Sequence, residues 1–210
     1  MKLAEIMLQT EKNFHNRDAE KLRGCIANQF KEIIAFHNHI DELTFNYDYS
    51  FIQYKIINNK PYIFGIDLGA DILIENIGKI KNITINGENI DVKPIMKLHF
   101  PDLKVEDKLY KYRFETIWFA LNSKNFKKYK ANELDLNVQL TNNILEIFKM
   151  CKIWADKKIL VKGDFKESIL IQKDTKINGF YGEFITNVNM PDNISLGKRK
   201  SIGLGRIKKV

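Results

Sequence analysis

Cysteine, proline and glycine are all scarce in this 210-residue chain, at two, four and eleven residues. The two cysteines, Cys25 and Cys151, stand far apart, and neither belongs to a paired C-x-x-C spacing. A disulfide framework and a cysteine-based zinc or thioredoxin-like centre are therefore excluded, and both thiols read as reduced core residues. With so little Gly and Pro and with 44% hydrophobic residues, the chain is not collagenous, low-complexity or wholly disordered. It has the means to bury a core. No apolar run reaches the roughly 18 residues a spanning helix requires. The opening Met1-Lys2-Leu3-Ala4-Glu5-Ile6 sets an acid where a signal peptide needs an unbroken apolar stretch. A folded cytoplasmic protein without membrane contact is the expectation. A Walker A motif and a dinucleotide fingerprint are also missing, which argues against nucleotide hydrolysis. The lack of a helix-turn-helix or zinc-finger pattern argues against double-stranded DNA.

What the chain has in excess is positive charge. Its 34 Lys and Arg against 26 Asp and Glu give a net +8, with a pI near 9.3. A polyanion is the partner class this suggests. Six of the eight excess charges lie in residues 197–210, as Lys198, Arg199, Lys200, Arg206, Lys208 and Lys209, with no acid among them. Such a run at a chain end is ordinarily a solvated tail. Here, however, Gly197, Gly203 and Gly205 alternate with the cations. Glycines at that spacing allow close backbone approaches, so that N–H groups as well as Lys and Arg side chains reach phosphate oxygens. Gly197, Lys198, Arg199, Lys200, Ser201, Gly203, Gly205 and Arg206 are therefore the candidate phosphate contacts.

The length accommodates one large domain or two of about 100 residues. Residues 3–10 fit an opening strand. From Arg17 the spacing of Leu22, Cys25, Ile26, Phe30 and Ile33 is that of an amphipathic helix, with Asn16 as N-cap and Asp18 and Glu20 in the first turn. Residues 51–57 and 62–66 form a hairpin through Asn58-Asn59-Lys60-Pro61. A second helix with Ala70, Leu73, Ile74 and Ile77 on its core face stops at Gly78, and residues 80–85 alternate as a strand. That order is β-α-β-β-α-β. In the second half, residues 113–121 alternate as a strand buried on both faces. A long helix covers residues 135–156, with Leu140, Ile144, Phe148, Cys151 and Trp154 on one stripe. Strands follow at 159–161, 168–172 and 180–186. Trp118 and Trp154 are assigned to the core. The predicted fold class is α+β: two tandem ferredoxin-like units of the RNA-recognition type with antiparallel sheets, at 1–90 and 91–210.

Phe36-His37-Asn38-His39-Ile40, just past the first helix, holds two of only four histidines. Residues two apart share a face in an extended segment. Imidazole titrates near neutrality, so one ring can accept a proton while the other donates. That pairing suits metal-free RNA cleavage: a base helps the 2′-hydroxyl attack its own phosphate, an acid protonates the leaving 5′-oxygen, and a cation stabilises the phosphorane. Structural or surface histidines, and a two-histidine metal site helped by Asp41 and Glu42, are the alternatives. His15 and His99 have no such company. On the next strand Gln53 and Lys55 point one way and Tyr54 the other. Lys55 is a candidate phosphorane partner, and Tyr47, Tyr49 and Tyr54 are candidates for base stacking, for orienting a histidine, or for the core.

Taken in order, these segments resemble the CRISPR-associated endoribonucleases of the Cas six family. The resemblance rests on Lys21-Leu22-Arg23-Gly24, Phe36-His37-Asn38-His39, Phe51-Ile52-Gln53-Tyr54-Lys55, Phe64-Gly65-Ile66, Trp118-Phe119-Ala120-Leu121-Asn122, Gly182-Glu183-Phe184-Ile185-Thr186-Asn187 and the glycine-rich ending. It implies a metal-independent endoribonuclease that cuts CRISPR repeat RNA to leave a 2′,3′-cyclic phosphate and a 5′-hydroxyl, with no metal or organic cofactor. His37 and His39 take the positions of its general acid and base, which ring does which being open, and Lys55 that of a supporting cation. Residues 197–206 take the position of its RNA-binding loop. CRISPR effector-complex subunits and a second copy of the chain are the further partners the resemblance admits. A repeat-binding or assembly protein that holds the RNA without cutting it is the competing reading, since it needs the basic loop but not the histidines.

Overall fold

The computed structural model describes residues 1–37, 50–172 and 175–210. They divide into two units, Met1–Phe100 with Ser201–Gly203, and Pro101–Lys200 with Leu204–Val210. The first unit runs ten residues beyond the boundary expected at 90 and also takes up three residues from the glycine-rich segment.

In the first unit β1 (Leu3–Gln9) leads into α1 (Asp18–Gln29), followed by β2 (Ile52–Ile57), β3 (Lys60–Ile66), α2 (Leu68–Asn76), β4 (Asn82–Ile85), β5 (Glu88–Asp91) and β6 (Lys93–His99). Four strands make an antiparallel sheet in the order β2-β3-β1-β6. Alternation on β1 buries Ala4, Ile6 and Leu8 completely, and Ile6 and Leu8 pack with Leu22 and Ile26 of α1, Ile52 and Tyr54 of β2, Ile63 of β3 and Leu73 of α2. The β2–β3 connection is shorter than expected. Asn58 and Asn59 both take positive φ, 49° and 61°, so two residues close the hairpin and Lys60 and Pro61 already belong to β3. Asn16 does not cap α1. His15 and Asp18 bind each other instead: the Asp18 carboxylate accepts the His15 N–H at 2.9 Å, and the Asp18 N–H donates to the His15 carbonyl at 2.8 Å. α2 ends at Asn76, before Gly78, and Ile74 is partly exposed instead of facing the core.

The strand expected at 80–85 forms as β4, but it pairs only with β5 in a separate two-stranded sheet. Ile83, Ile85 and Ile90 turn inward from that hairpin, which accounts for its alternating pattern. The fourth place in the main sheet belongs to β6, aligned with β1 through Ile6 and Met96. Every β6 residue except Pro94 is exposed, so no alternation marks the strand in the sequence.

In the second unit β7 (Val105–Phe114), α3 (Ser123–Lys130), α4 (Leu136–Met150), β8 (Val161–Gln172), β9 (Thr175–Val188) and β10 (Ile207–Lys209) give an antiparallel sheet in the order β10-β7-β9-β8. Both sheets thus hold their first and third principal strands at the centre, the ferredoxin-like arrangement. Where that pattern would place a second helix, between β9 and β10, lie residues 189–206 with a single 3-10 turn at Lys200–Ile202.

Residues 113–121 are not one strand. β7 ends at Phe114, and beyond it Trp118 makes an isolated bridge to Phe180 through N–H···O bonds of 2.8 and 3.0 Å. Trp118 is fully buried, as expected, with its ring stacked 5.1 Å from Phe114 and its indole N–H donating to Asn143 of α4 at 3.1 Å. Trp154 is not core: it is 87% exposed. α4 stops at Met150, where Lys152 takes φ 54°, its N–H meets the Lys149 carbonyl at 3.1 Å and the Ile153 N–H returns to Phe148 at 2.9 Å. This is a Schellman stop with lysine at the left-handed position usually given to glycine, so the sequence carries no sign of it. Leu140, Ile144 and Phe148 keep the expected stripe. Cys25 and Cys151 are free thiols, half-buried instead of core. Among the described residues no helix is long and apolar enough to cross a membrane.

Candidate functional site

His37 is placed by the chain leaving α1. Phe30, buried at the end of that helix, stacks its ring 4.7 Å from that of Phe36, and the 3-10 turn Ile34–Phe36 delivers His37 immediately after. Its backbone N–H closes the turn on Ile34 at 2.9 Å. The ring is half-buried, with Nε2 3.3 Å from the Phe30 carbonyl oxygen. A carbonyl only accepts, so Nε2 carries the proton in this contact and Nδ1 is the nitrogen left with a lone pair in the neutral ring. His39, Tyr47, Tyr49, Asp41 and Glu42 lie outside the described residues.

Tyr54 supports the turn from the opposite side. It is wholly buried on β2, its hydroxyl donating to the Phe36 carbonyl at 3.2 Å. Burial pushes its phenol far above the ordinary tyrosine range, against a weaker downward pull from Arg23, so it stays protonated. Base stacking on Tyr54 is ruled out by this position. Lys55 lies on the other face, as the strand spacing requires, but only 1% exposed. Its ammonium donates to the Gln53 side-chain carbonyl at 2.7 Å and sits 4.3 Å from the centre of the Phe64 ring. In this arrangement Lys55 is an interior support and does not meet a strand lying on the surface.

Arg23, on α1, joins these parts. Its Nη2 donates to the His37 carbonyl at 2.7 Å, and its Nη1 lies 3.4 Å from the Ser201 hydroxyl. Two residues on, Gly203 takes φ 78° against β2, where an added Cβ would stand 3.0 Å from the Tyr54 carbonyl oxygen and 3.3 Å from Lys55 Cγ. The first unit therefore gathers His37, Arg23, Ser201, Gly203 and the Tyr54–Lys55 strand in one place. Sequence reasoning singled out the histidine and the glycine-rich segment separately and missed Arg23 as their link. The available signal was a cation on the helix that immediately precedes the histidine turn.

The remaining predicted contacts belong to the second unit and divide sharply. Lys198 and Arg199 are exposed. The Lys198 N–H is anchored to the Phe119 carbonyl at 2.9 Å, and the Arg199 guanidinium stands 5.8 Å over the Phe119 ring. Lys200 is buried and ion-paired with Glu146 at 2.7 Å. Arg206 is half-buried, donating to Asn193 at 3.0 Å, and desolvation lowers its pKa against a weaker opposing effect of Glu115. Gly197 and Gly205 are buried too. A Cβ at Gly205, whose φ is 67°, would collide with the Leu196 carbonyl. Of the eight expected phosphate contacts, then, Lys198 and Arg199 present charge at the surface; the glycines serve turns and close packing. His15 is exposed, and His99 Nε2 lies 3.6 Å from Glu5. Among the described residues no group of three or more His, Cys, Asp or Glu is placed to hold a metal ion.

Two ferredoxin-like units, one carrying a histidine beside a glycine-rich segment, define the class of architecture. Residues 1–102 match the Cas6b N-terminal domain and residues 104–210 the Cas6b C-terminal domain. The chain belongs to the Cas6b family. A solved structure described as Cas6b is 32% identical, with both chains fully covered and a TM-score of 0.88. Another, described as the CRISPR RNA processing endoribonuclease Cas6b, is 30% identical over both full chains with a TM-score of 0.72. An uncharacterized protein of Methanocaldococcus jannaschii, MJ0978, is 30% identical over 143 residues, which is 65% of this chain and 97% of its own.

Proposed function

We propose that this protein is a CRISPR repeat RNA-processing endoribonuclease that cuts without metal, through attack of a ribose 2′-hydroxyl on the adjacent phosphate. The observation that carries the reading is the Arg23 fork, which ties the His37 carbonyl to Ser201 of the glycine-rich segment within one unit. Membership of the Cas6b family and the likeness to a CRISPR RNA processing endoribonuclease support the substrate class. In the reaction one imidazole takes the proton of the 2′-hydroxyl as its oxygen bonds to phosphorus. The bond to the 5′-oxygen breaks, and a second acid protonates that oxygen, leaving a 2′,3′-cyclic phosphate and a 5′-hydroxyl. His37 supplies one of the two groups; with Nε2 turned to Phe30, its Nδ1 is the atom suited to accept. His39 is the counterpart two residues on. Arg23 adds fixed positive charge beside the histidine turn, where charge gathers in the transition state. Lys198 and Arg199 are the phosphate-binding side chains of the second unit.

The decisive experiment is single-turnover cleavage of the repeat RNA in EDTA. The parent protein is expected to cut, and a copy with a 2′-deoxy sugar at the scissile position is expected to survive. His37→Ala should slow cutting by about 10² to 10⁴, the usual worth of a general acid or base, while RNA binding persists. Undiminished cutting by the His37→Ala/His39→Ala double variant overturns the site. Binding without any cutting by the parent leaves the protein a holder of repeat RNA.

A further inference from the structure

Where α1 ends, the first unit has an open cleft of about 600 Å³, bounded by Phe30, Lys31 and Ile33 on one side and by Lys79, Lys81 and Asn82 on the other. We infer that this cleft holds the single-stranded RNA next to the scissile nucleotide, a subsite that rests on the endoribonuclease reading above.

Three properties point to a nucleotide. The volume falls within the range of small-molecule sites, and a single nucleotide fits it. Its charge is positive: Lys31, Lys79 and Lys81 are all exposed, against Glu32 as the one acid in the lining. Neither Lys31 nor Lys81 has an ion-pair partner among the described residues, and Lys79 reaches only the Asn76 side chain, at 2.7 Å. These ammonium groups are not consumed by the fold. Lysines of this kind, coming from two different elements, suit a flexible phosphate backbone that passes between them. The lining also has an apolar part, Phe30 and the half-buried Ile33, and an unstacked base gains by lying against apolar surface such as that of Ile33.

The location is the fourth property. Phe30 is one of the residues that line the cleft, and its carbonyl oxygen is the group 3.3 Å from His37 Nε2. A nucleotide seated there is adjacent to the imidazole without occupying its place. The walls are also fixed to one another: the Gln29 side chain of α1 donates to the Asn82 carbonyl at 2.7 Å, so the cleft is held open by the fold. Preformed spacing of this kind reduces the ordering cost of binding.

The test measures binding of repeat RNA carrying a 2′-deoxy sugar at the scissile position, so that cleavage does not enter the readout. Lys31→Ala/Lys79→Ala/Lys81→Ala changes only exposed side chains, and an unaltered melting temperature checks its fold. It is expected to weaken binding about tenfold and to flatten the slope of log K against log salt by about 2, as three lost single-strand phosphate contacts require. The all-arginine version of the triple variant should bind like the parent. RNAs truncated on either side of the scissile bond should divide, one binding parent and triple variant alike and the other not. Equal affinity and salt slope for parent and triple variant overturn the cleft, as does equal weakening for both truncated RNAs. Failure of the parent to cut the unmodified repeat would remove the catalytic reading while leaving these binding outcomes to decide the cleft.

Discussion

Arg23 donates to the backbone carbonyl of His37 across a distance of 2.7 Å. The candidate proton-transfer residue is therefore held by its main chain as well as by its ring, and the group that holds it also reaches Ser201, 178 residues away in sequence. Truncation at Arg23→Ala leaves two acceptors without their donor. A hydrogen bond to a charged group is worth about 1.5–3 kcal/mol, so the expected loss in unfolding free energy is of that order, read by urea titration. Cleavage at saturating RNA should fall as well. Arg23→Lys keeps the charge but cannot span both acceptors as a fork, and should recover stability only in part.

Gly203 and Gly24 should respond oppositely to alanine. At Gly203 the backbone is left-handed, and the added methyl meets the Tyr54 carbonyl oxygen at 3.0 Å. A cost of about 1–2 kcal/mol follows from the backbone alone. At Gly24, inside α1, nothing lies within 4 Å of the added methyl. Alanine there should stabilise by about 0.5–1 kcal/mol. Equilibrium unfolding of the two single variants checks both signs.

Replacing Lys198 and Arg199 together should weaken repeat RNA binding and reduce its salt dependence, with little change in melting temperature, since both side chains are exposed. Lys200→Ala should do the reverse. Its side chain is buried and its ammonium is ion-paired with the partly exposed Glu146 at 2.7 Å, so its removal costs packing and the ion pair and lowers stability before it touches affinity. Filter binding and thermal melting, measured side by side, separate the two behaviours.

Asp18 makes the first unit sensitive to acid. Burial alone would raise its pKa, but the His15 N–H, the Lys21 ammonium and the nearby Arg17 outweigh that and hold the carboxyl below its usual value. A carboxylate with a depressed folded-state pKa contributes stability that is complete above its unfolded value, about 3.9, and is lost as pH falls through the folded one. Asp18→Asn should therefore be less stable than the parent at pH 7, and the gap should close below about pH 4. Denaturation midpoints collected from pH 3 to pH 7 test this.

The parts of the fold that were legible in the sequence are those where burial is one-sided. Ile6 and Leu8 on β1, Leu22 and Ile26 on α1, and Leu140, Ile144 and Phe148 on α4 all face a core and so repeat at the period of their element. α3 was missed because its eight residues bury no side chain. Strand β6 was missed for the same reason, and the Schellman stop of α4 because a lysine occupies its left-handed position. At the site, His37 and the glycine-rich segment were legible as residue types. The burial of Lys55 was not, because a lysine on a strand reads as a solvent-facing cation until Gly203 and Phe64 are seen beside it. Arg23 was hidden differently: its partners are a main-chain carbonyl and a distant hydroxyl, and neither leaves a pattern in a linear sequence.

The inclusion of Ser201–Gly203 in the first unit sets a schedule for its maturation. On a ribosome adding about 5–20 residues per second, Phe100 emerges well before Ser201, a lag on the order of 5–20 s. During that interval the amino-terminal sheet and its helices can form, while Arg23 still lacks its Ser201 hydroxyl and the Tyr54–Lys55 strand its glycine cover. The nascent polypeptide thus passes through a stage in which a folded body exists around an unfinished centre, and the centre closes only once translation has passed Ser201–Gly203.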